Sequence, residues 1–437
     1  MTRKMKDSGI EWIGQIPEEW MIAKLKMLCN VKDGTHDTPK YVDKSDNSFP
    51  LVTSKNIKNG NIDFHDVKYI SEKDYIDINK RSNVEINDVI MPMIGTVGNP
   101  AIIETESKFA IKNVALFKCN NDIYISKIIK YYLQSTMITE QFEFLNRGGV
   151  QTFISLTLLQ NLICTMIPEQ ELIKIVNYLD IKCSKIDETL QKEKQVIEKL
   201  KQYKQSVITE AVTKGLNSDL KMKDSGIEWI GEIPEHWSIS RFSFETWVRA
   251  RLGWKGLKAD EYVQDGYIFL ATPNIKNKDI DFVNVNYIDE FRYEESPEIK
   301  LSIGDVLLTK DGSTLGTVNV VRYLPKGATV NSSIAVITPG SNLDGIFLMY
   351  QIKGDYIKKI IENKKDGMGV PHLFQKDINK IYITLPPIEE QKQIATFLDK
   401  KCASIDKAIS NKEKLIEKLT EYKKSLIYEC VTGKREV

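Results

Sequence analysis

A segment rich in Lys and Glu occurs twice in this 437-residue chain, as IDETLQKEKQVIEKLKQYKQSVITEAVT at 186–213 and as IDKAISNKEKLIEKLTEYKKSLIYECVT at 405–432. Neither 169–214 nor 388–432 contains Gly or Pro, and apolar residues recur three or four positions apart, which predicts two long amphipathic helices. Each apolar stripe has to be covered, and its best-matched partner is the other copy. We therefore expect a coiled coil, antiparallel because the chain leaves along one helix and returns along the other.

The apolar stripe also predicts which side chains the paired helices bury. Counted from residue 186 to residue 214, the first copy alone would extend about 43 Å. An ordinary helical hairpin packed on a core is the alternative arrangement for such a stripe. The residues predicted to form the coiled-coil interface are Ile186, Leu190, Ile197, Leu200, Tyr203 and Val207 in the first copy and Ile405, Ile409, Ile416, Leu419, Tyr422 and Leu426 in the second.

A second segment also occurs twice, as MKDSGIEWIGQIPEEW at 5–20 and as MKDSGIEWIGEIPEHW at 222–237. Its two Trp residues, Gly turn and Ile-Pro step are typical of an extended segment that packs on an apolar surface. The whole chain is therefore a tandem duplication. The predicted division is an N-terminal conserved segment (1–20), a first variable domain (21–166), a central helix (167–214), a linker with the repeated segment (215–237), a second variable domain (238–385) and a C-terminal helix (386–437).

The two variable domains have diverged, but they still correspond locally. Residues 51–63 and 269–281 share the run Asn-Ile-Lys-Asn. β-Branched runs bounded by Gly, Asn and Asp predict strands, and longer apolar stretches predict helices. Each domain is therefore expected to be mixed α/β. The predicted strands are 88–91, 114–118, 305–309 and 334–338, and the predicted helices are 123–144 and 343–361.

Charge and cysteine usage limit the classes of partner and compartment. A formal net charge of +1 supplies no overall field for a polyanion, so a chain that binds nucleic acid must sort its basic residues onto one face. The six cysteines lack C-x-x-C spacing and are expected as buried thiols in a reducing compartment. The sequence contains no signal peptide and no apolar run of membrane-spanning length, so we expect a cytoplasmic protein without membrane contact.

Motifs that carry bond chemistry are absent from the sequence. There is no phosphate-binding G-x-x-x-x-G-K-[ST] motif, and the four histidines are isolated from one another. A DNA amino-methyltransferase would need an Asn-Pro-Pro-aromatic or Asp-Pro-Pro-aromatic stretch, which the Asn-Pro-Ala run at 99–101 does not provide. Asp88 with the Glu-Ser-Lys run at 106–108 imitates the acidic part of a Mg²⁺-dependent nuclease, but the matching region of the second half has no Glu-x-Lys. We predict neither catalytic nor metal-binding residues.

Polar loops recur at corresponding places in both variable domains. Their Lys, Arg, Asn, Gln, Ser, Thr and His side chains are those that hydrogen-bond phosphates and base edges, and their glycines let the backbone approach a phosphate. A solvated turn is the alternative interpretation of any single loop. The residues predicted to bind DNA are Lys32, Thr35, His36, Lys55, Asn56, Thr96, Arg147 and Gln151 in the first half, and Arg249, Arg251, Lys255, Asn274, Lys310, Ser313, Thr314, Asn331, Lys364, Lys365 and His372 in the second.

The order of these segments resembles that of a known family. A W-I-G-x-I-P-E-x-W segment, a variable domain and a Leu-Asp helix, followed by all three again, resemble the DNA-specificity subunit of type I restriction-modification systems. The resemblance covers essentially the whole chain. The pieces that carry it are the doubled segments 9–20 and 226–237, the Ile-Glu-Lys-Leu runs at 197–200 and 416–419 with their Tyr-Lys pairs at 203–204 and 422–423, and the Pro-Pro-Ile-Glu-Glu-Gln run at 386–391.

The resemblance implies an α/β chain with pseudo-two-fold symmetry, in which two mixed α/β target-recognition domains are separated by two long helices that form an antiparallel coiled coil. Each recognition domain would read one half of a split, asymmetric site in double-stranded DNA, and the helices would set the spacer. Two methyltransferase subunits with S-adenosylmethionine and restriction motor-nuclease subunits with ATP and Mg²⁺ would be the partners. This chain itself would be a non-catalytic subunit without cofactors.

Two interpretations from other classes compete with DNA recognition. The chain could be a coiled-coil scaffold that joins proteins and has no DNA specificity. It could also be a nuclease that uses Asp88 and Glu106. Sequence-specific adenine methylation with a methyltransferase partner separates recognition from the scaffold, and DNA cleavage by the purified chain with Mg²⁺ alone would favour the nuclease.

Overall fold

A computed structural model of the chain describes residues 3–94, 99–145, 154–250, 257, 259–363 and 372–437. The chain divides into two compact units, a first unit of Met1–Lys194 with Lys414–Val437 and a second unit of Gln195–Glu413. Both divisions fall inside a long helix, so each unit holds its own sheets and part of both long helices. None of the helices in these described stretches is long and apolar enough to cross a membrane.

The first unit begins with short strands and ends with the first long helix. Its helices are α1 (Glu72–Ser82), α2 (Ile123–Gln134), α3 (Thr136–Leu145), α4 (Leu156–Gln160) and the first part of α5 (Glu169–Lys214). Its strands are β1 (Met5–Asp7), β2 (Gln15–Pro17), β3 (Met21–Lys24), β4 (Asn30–Asp33), β5 (Tyr41–Val42), β6 (Ser48–Thr53), β7 (Ile57–Lys58), β8 (Asn61–Ile62), β9 (Lys68–Ser71), β10 (Val89–Pro92), β11 (Ala101–Ile102), β12 (Ala110–Lys112), β13 (Val114–Lys118) and β14 (Ile163–Met166).

The second unit repeats this order of elements. Its helices are α6 (Phe242–Glu245), α7 (Glu290–Glu294), α8 (Gly345–Lys353), α9 (Asp355–Glu362), α10 (Gln375–Ile378) and the first part of α11 (Ile388–Val431). Its strands are β15 (Met222–Asp224), β16 (Glu232–Pro234), β17 (Ser238–Arg241), β18 (Thr246–Arg249), β19 (Tyr267–Leu270), β20 (Asn286–Ile288), β21 (Val306–Thr309), β22 (Val318–Val320), β23 (Ala328–Val330), β24 (Ile334–Pro339) and β25 (Tyr382–Leu385).

In each unit a short turn joins a strand of one sheet to a strand of the other. The first unit has an antiparallel sheet of order β11-β10-β13-β4 and a second sheet of order β12-β6-β9-β5, in which β12 and β6 are parallel. The second unit has the corresponding orders β18-β24-β21-β22 and β20-β19-β23, with β19 parallel to β23. Asn113 alone joins β12 to β13, with a left-handed φ of 54° that Asn tolerates. The ends of both sheets therefore meet at this turn.

The central strands are continuous apolar runs because each is buried on both faces. Along β13, Ala115 and Phe117 face the core shared with the helices, whereas Val114 and Leu116 face a core between the sheets. Strand β24 alternates in the same way between two cores. A strand covered on both sides needs no polar face, so the period-2 signal is lost. The predicted strands 88–91, 114–118, 305–309 and 334–338 are confirmed within a residue.

The helices predicted over 123–144 and 343–361 were wrong in being continuous. Each is broken once, at Ser135 between α2 and α3 and at Gly354 between α8 and α9. Both residues have extended backbone, with ψ of 153° and 150°. Each break is closed by a backbone bond, from Ser135 N to Tyr132 O and from Gly354 N to Gln351 O, both 3.0 Å. The Ser135 Oγ also donates to Tyr132 O, a competition with the helical pattern that Ser commonly supplies.

The long helices match their prediction and run antiparallel within the first unit. Tyr178 of α5 lies 3.4 Å from Arg435 Nη1, just beyond the end of α11. Asp187, further along α5, binds the Nζ of Lys423 at 2.6 Å. Later residues of one helix therefore meet earlier residues of the other. An apolar cluster that includes Leu179 of α5 and residues of α11 fills the seam.

The same arrangement occurs within the second unit. Lys204 of α5 binds Asp406 of α11 at 2.7 Å. A Cβ placed on Gly215, just beyond the end of α5, would lie 3.4 Å from Oε1 of Glu390 at the beginning of α11. The predicted antiparallel pairing is confirmed in both units. The continuous helix boundaries, Glu169–Lys214 and Ile388–Val431, agree with those predicted within one residue.

The predicted interface needs one correction. Tyr203 and Tyr422 are 48% and 51% exposed, so they lie at the rim of the helix pair and not in its seam. A Tyr ring at such a rim covers apolar surface while its hydroxyl stays in water. Beyond these tyrosines, Ile208 of α5 and Ile427 of α11 are also buried because the helices pack on their own units. Of the remaining predicted residues, Ile186, Ile197, Ile405 and Leu426 are buried, and Leu190, Leu200, Val207, Ile409, Ile416 and Leu419 are partly buried.

The repeated Trp segment anchors the ends of the long helices in the first unit. The buried Trp20 donates from Nε1 to Glu171 Oε2 (2.8 Å), and Arg3 donates to the same carboxylate oxygen (2.8 Å). The Thr165 hydroxyl donates to the carbonyl of Val431 at the end of α11 (2.5 Å). Within the repeated segment, the Ile13 carbonyl accepts from the Tyr428 hydroxyl of α11 (3.1 Å), so this segment packs near the end of the last helix.

The second unit has an equivalent anchor. Trp237 donates from Nε1 to Glu390 Oε2 (3.1 Å), and His236 Nε2 lies 2.9 Å from that oxygen in the place that Arg3 takes in the first unit. The Thr384 hydroxyl donates to the carbonyl of Val212 near the end of α5 (2.6 Å). The duplication has thus kept the anchor while replacing the Arg3 side chain with a histidine side chain.

Candidate nucleic-acid interface

Polar loops of the first unit converge where its two sheets meet. The Asn113 amide donates to Thr35 O (3.1 Å), which lies on the loop after β4. The Met93 amide, after β10, donates to Asn113 O (3.3 Å), and the Ile154 amide, before α4, donates to Met93 O (3.0 Å). These four residues, together with Asp33 and His36 on either side of Gly34-Thr35, define what we call the first loop edge. A chain of backbone hydrogen bonds therefore holds loops from four places in the sequence together.

Gly34 lets the loop after β4 reach this edge. A Cβ on Gly34 would lie 2.1 Å from the carbonyl oxygen of Ile111, so no other residue fits without a backbone shift. The next residue, Thr35, donates from its amide to that same oxygen (3.0 Å). His36 follows, with Nε2 3.0 Å from Asp33 Oδ2 and Nδ1 3.0 Å from Asn113 Oδ1. The imidazole is thus fixed between a buried carboxylate and the turn that joins the sheets.

The second unit forms an equivalent edge. The Lys310 amide, after β21, donates to Ser333 O in the turn between β23 and β24 (2.8 Å). The Leu373 amide, before α10, donates to Lys310 O (2.8 Å). His372 Nδ1 contacts Asp311, whose carboxylate also lies 3.4 Å from Lys310 Nζ. We call Lys310, Asp311, Ser333 and His372 the second loop edge.

Several residues predicted to bind DNA lie at these edges. Thr35 and His36 belong to the first edge, and Lys55 is exposed in a turn whose Ser54 hydroxyl donates to Asn113 O (3.3 Å). Lys32 precedes the edge on β4 and is partly buried. Around the second edge lie Lys310, His372, Asn331 and the exposed Ser313 and Thr314. No DNA contact has been tested for any of them, so their role stays a prediction.

Two predicted DNA contacts are explained instead as turn-forming residues. Asn56 is 5% exposed; its Oδ1 accepts from the Thr53 amide (3.0 Å), and its Nδ2 donates to Asp66 O (3.1 Å). Asn274 is 8% exposed and makes the corresponding bonds to Ala271 N (2.8 Å) and to a later carbonyl. Both amides are occupied by backbone, so neither is available for a base. This turn accounts for the shared Asn-Ile-Lys-Asn run.

Arg249 also has a structural place that its sequence did not predict. Its side chain is buried, with Nη2 2.8 Å from Asp305 Oδ2 and Nη1 donating to the carbonyls of Glu298 (3.1 Å) and Lys300 (2.9 Å). A guanidinium held in this way does not reach DNA, so we leave Arg249 out of the proposed interface. The predictions for Thr96, Arg147, Gln151, Arg251, Lys255, Lys364 and Lys365 lie outside the described residues.

Sequence reasoning missed Arg81, which lies beside the first edge. It belongs to α1, is 58% exposed, and pairs through Nη2 with Asp33 Oδ1 at 2.5 Å. Helix α1 lies along β4 and β12, which brings its last turn to the loop after β4. No motif marks this arginine. The pairing with Asp33 becomes visible only in the structure, where the buried carboxylate at the end of β4 meets the guanidinium.

The nuclease interpretation finds no support in the geometry. Asp88 is 1% exposed, and its carboxylate accepts from Lys118 Nζ (2.6 Å) and from the Cys119 amide (3.1 Å). Burial raises the pKa of Asp88, and the hydrogen bond from Lys118 opposes that rise. Glu106 is exposed elsewhere on the surface. Among the described residues no group of three or more His, Cys, Asp or Glu is placed to hold a metal.

Comparison with known proteins agrees with this architecture. The family model "Type I restriction modification DNA specificity domain" matches residues 17–202 and 255–421. The type I restriction enzyme MjaVIII specificity subunit of Methanocaldococcus jannaschii is 23% identical over 97% of this chain and 94% of its own length. The EcoBI specificity subunit of Escherichia coli is 21% identical over 96% and 88%.

A solved structure shows the same fold. The chain comes from a study of complex assembly and conformational transition of the type I R-M system, where R-M stands for restriction-modification. It superposes with a TM-score of 0.70 at 16% sequence identity, and the match covers 96% of this chain and 99% of that chain. The two chains therefore share this fold although most of their residues differ.

Proposed function

Because this chain belongs to the family of type I restriction-modification DNA specificity proteins, we propose that each of its two units reads one half of a split site in double-stranded DNA. The observation that carries the proposal is the pair of loop edges. Equivalent loops converge in both units, and they present different polar side chains, such as His36 in one and Lys310 with His372 in the other. Side chains of this kind hydrogen-bond base edges and phosphates. The two half-sites should therefore differ in sequence.

The partners of this chain follow from the same proposal. Two methyltransferase subunits would dock on the long helices and the repeated Trp segments, and would bring S-adenosylmethionine to the adenine that is modified. Restriction motor-nuclease subunits would add ATP and Mg²⁺. This chain would make no covalent bond itself and would need no cofactor of its own. Its contribution would be binding free energy that favours one DNA sequence, roughly 1–3 kcal/mol for each well-paired base.

The experiment that tests the function is methylome sequencing. A host that expresses this chain with its methyltransferase subunit should methylate adenine in one asymmetric, two-part motif. A matched host that expresses the methyltransferase subunit alone should not methylate that motif. Methylation with no sequence motif in the first host would contradict DNA recognition and would favour the scaffold interpretation. A palindromic motif would contradict independent reading by two different edges.

We also propose that the helices set the number of base pairs between the half-sites. Both helices continue from one unit into the other, at Lys194–Gln195 and at Glu413–Lys414. Inserting one helical turn into each of the two helices, at these points, should lengthen the spacer between the half-sites. The bases of both half-sites should stay the same. Methylome sequencing of the insertion variant measures the spacer directly. An unchanged spacer in an active variant would refute this role of the helices.

A further inference from the structure

The first loop edge contains a buried carboxylate whose partners are exposed. Asp33 ends β4 with 4% of its surface exposed, and its two oxygens face Arg81 Nη2 (2.5 Å) and His36 Nε2 (3.0 Å). The side chains of Arg81 and His36 are 58% and 45% exposed. Burying a charge is costly unless it is paired, so the strand holds Asp33 rigidly and Asp33 in turn limits where the guanidinium can lie. The pair leaves more than half of the Arg81 side chain exposed to solvent beside the edge.

This geometry favours a base contact over a phosphate contact. A guanidinium has five N–H donors in a fixed plane, and contact through Nη2 to one carboxylate oxygen leaves donors for a second partner. The carboxylate offsets the positive charge, which weakens the attraction to a phosphate. The contact with the buried carboxylate also holds one end of the guanidinium beside the edge, which narrows the directions that its remaining N–H donors can take. A bidentate contact to O6 and N7 of guanine uses two such donors. Preorganisation of this kind reduces the entropy lost on binding.

The second unit lacks this arrangement. In the first unit Lys32 pairs with Leu116 across the sheet, and in the second unit Arg249 pairs with the equivalent residue, Val336. Lys32 and Arg249 are therefore equivalent. The residue after each is Asp33 in the first unit and Ala250 in the second. On the equivalent helix, α7, the arginine Arg292 pairs instead with Glu261 and Glu295. The Asp33–Arg81 pair is therefore a feature of one unit. A role in reading would be limited to one half-site.

We propose that Arg81 binds the major-groove edge of a guanine in the half-site read by the first unit, with Asp33 as its positioning residue. This inference rests on the proposed function. Arg81 supplies the donors, and Asp33 sets the direction in which they point. Lysine cannot replace Arg81, because a single ammonium does not reproduce two parallel N–H bonds.

The test uses the full chain with the methyltransferase subunit that co-purifies with it. Fluorescence anisotropy measures binding to duplexes that carry the motif found by methylome sequencing, each with one base pair changed, over a range of salt concentrations. The variants are Arg81→Lys, Arg81→Ala and Asp33→Asn. Lys80→Ala is the matched control, because Lys80 is the exposed neighbour of Arg81 on α1 and pairs only with Asp77 among the described residues. Thermal unfolding checks that each variant folds. If Asp33→Asn does not fold, the result for Arg81→Lys alone decides whether the proposal holds.

Arg81→Lys and Arg81→Ala should reduce discrimination at a single G·C pair of one half-site, by roughly 5- to 150-fold. Asp33→Asn should weaken discrimination at that same pair without lowering the salt dependence, since it removes a negative charge. Lys80→Ala should leave discrimination unchanged. A purely structural role for Asp33 would change unfolding but would not single out one base pair.

Three results would overturn the inference. Discrimination could be unchanged in all Arg81 variants, or the half-site that these variants affect could contain no guanine. Alternatively, Arg81→Ala could weaken all sequences equally and lower the salt slope by about one while Arg81→Lys binds as the unmodified chain does, which is the pattern of a phosphate contact. A chain without any sequence preference before substitution would instead contradict the proposed function itself.

Discussion

The helix-end anchors keep the same contacts in both units, whereas the loop edges do not. Tyr131 donates to Asp180 of α5 at 2.6 Å, and Tyr350 donates to Asp399 of α11 at 2.8 Å. Burial and the neighbouring aspartate raise the pKa of each tyrosine well above its ordinary value, so both hydroxyls remain donors. Even where the side chain changes, as in Arg3 and His236, a basic side chain still lies within hydrogen-bond distance of the equivalent glutamate.

At the loop edges the two units use similar chemistry in different places. Asp33 at the end of β4 and His36 in the loop that follows are three residues apart, whereas Asp311 and His372 come from two loops far apart in sequence. The backbone bonds that gather the loops are nevertheless equivalent, from Met93 N to Asn113 O and from Lys310 N to Ser333 O. A frame defined by backbone bonds and anchors therefore leaves its edge free to change. A duplicated chain with such a frame can hold two different readers.

The anchors should account for much more stability than the edges. Trp237→Ala removes a side chain that is 1% exposed and should lower the free energy of unfolding of the second unit by about 3–5 kcal/mol. Trp20→Ala should do the same in the first unit. Trp229, in the same repeated segment, is 52% exposed, so Trp229→Ala is the matched control and should change stability by less than about 0.5 kcal/mol. Urea unfolding measures the three variants, and equal losses from Trp229→Ala and Trp237→Ala would contradict the anchor.

The edges should account for DNA binding and not for stability. Lys310→Ala with His372→Ala should weaken binding of the methylome-defined duplex by about 1–3 kcal/mol, through one half-site only. The thermal midpoint should stay within the range of ordinary surface substitutions, because both side chains are partly exposed. Anisotropy on duplexes with either half-site scrambled separates the two units. A loss shared by both half-sites would mean that the second edge does not read independently.

The fold was predictable from sequence where the signal is local and periodic. Helices without Gly or Pro gave correct boundaries over more than forty residues, as in Glu169–Lys214. Apolar runs bounded by turn residues gave strands such as Val114–Lys118. The breaks at Ser135 and Gly354 were missed because a single Ser or an isolated Gly within an apolar stretch does not by itself end a helix. Their extended conformation is a consequence of packing, which a local pattern does not contain.

The candidate site was less predictable because polar side chains have similar sequence patterns in structural and functional roles. Asn56 looks like a base-contacting amide until its bonds to Thr53 N and Asp66 O are known. Arg249 pairs with Asp305, which lies far away in sequence, so its burial leaves no local trace. Arg81 is hidden for the same reason, since its partner Asp33 is on a distant strand. Long-range pairing, and not residue type, decides which polar groups remain available.

Lys353, the last residue of α8, lies near Lys204 of α5, so the pH dependence of unfolding tests how closely the second unit packs on that helix. Burial lowers the pKa of Lys353 from the ordinary 10.5 to about 8, with nearby Lys204 contributing in the same direction. The unfolded chain therefore binds more protons than the folded one between about pH 8 and 10.5, so stability should rise with pH across that window. Lys353→Met should be more stable by about 1–2 kcal/mol below pH 8, since the side chain is only partly buried, and the advantage should vanish towards pH 10.5. Urea unfolding of both proteins at each pH isolates this lysine, and a constant difference would contradict the assigned shift.

The smallest effect should come from the ion pairs that the duplication repeats along the helices. Asp187 and Asp406 occupy equivalent positions, as do Lys204 and Lys423, so antiparallel pairing places one Asp–Lys contact in each unit, at 2.6 and 2.7 Å. Each aspartate is at least half exposed. Lys204→Met and Lys423→Met should therefore each lower the free energy of unfolding by less than about 1 kcal/mol.

The difference should shrink further in 1 M salt, where the screening length is about 3 Å. A double-mutant cycle of Lys423→Met with Asp187→Asn isolates the pair energy, and the same cycle at Lys204 and Asp406 is its internal control. Equal, small and salt-sensitive values in both cycles would show that the rods are held by their apolar seams and by the anchors at their ends. A pair energy near 3 kcal/mol that does not change with salt would mean that these ion pairs stabilise the helices as strongly as the anchors do. It would contradict the conclusion that the anchors and the apolar seams hold the helices together.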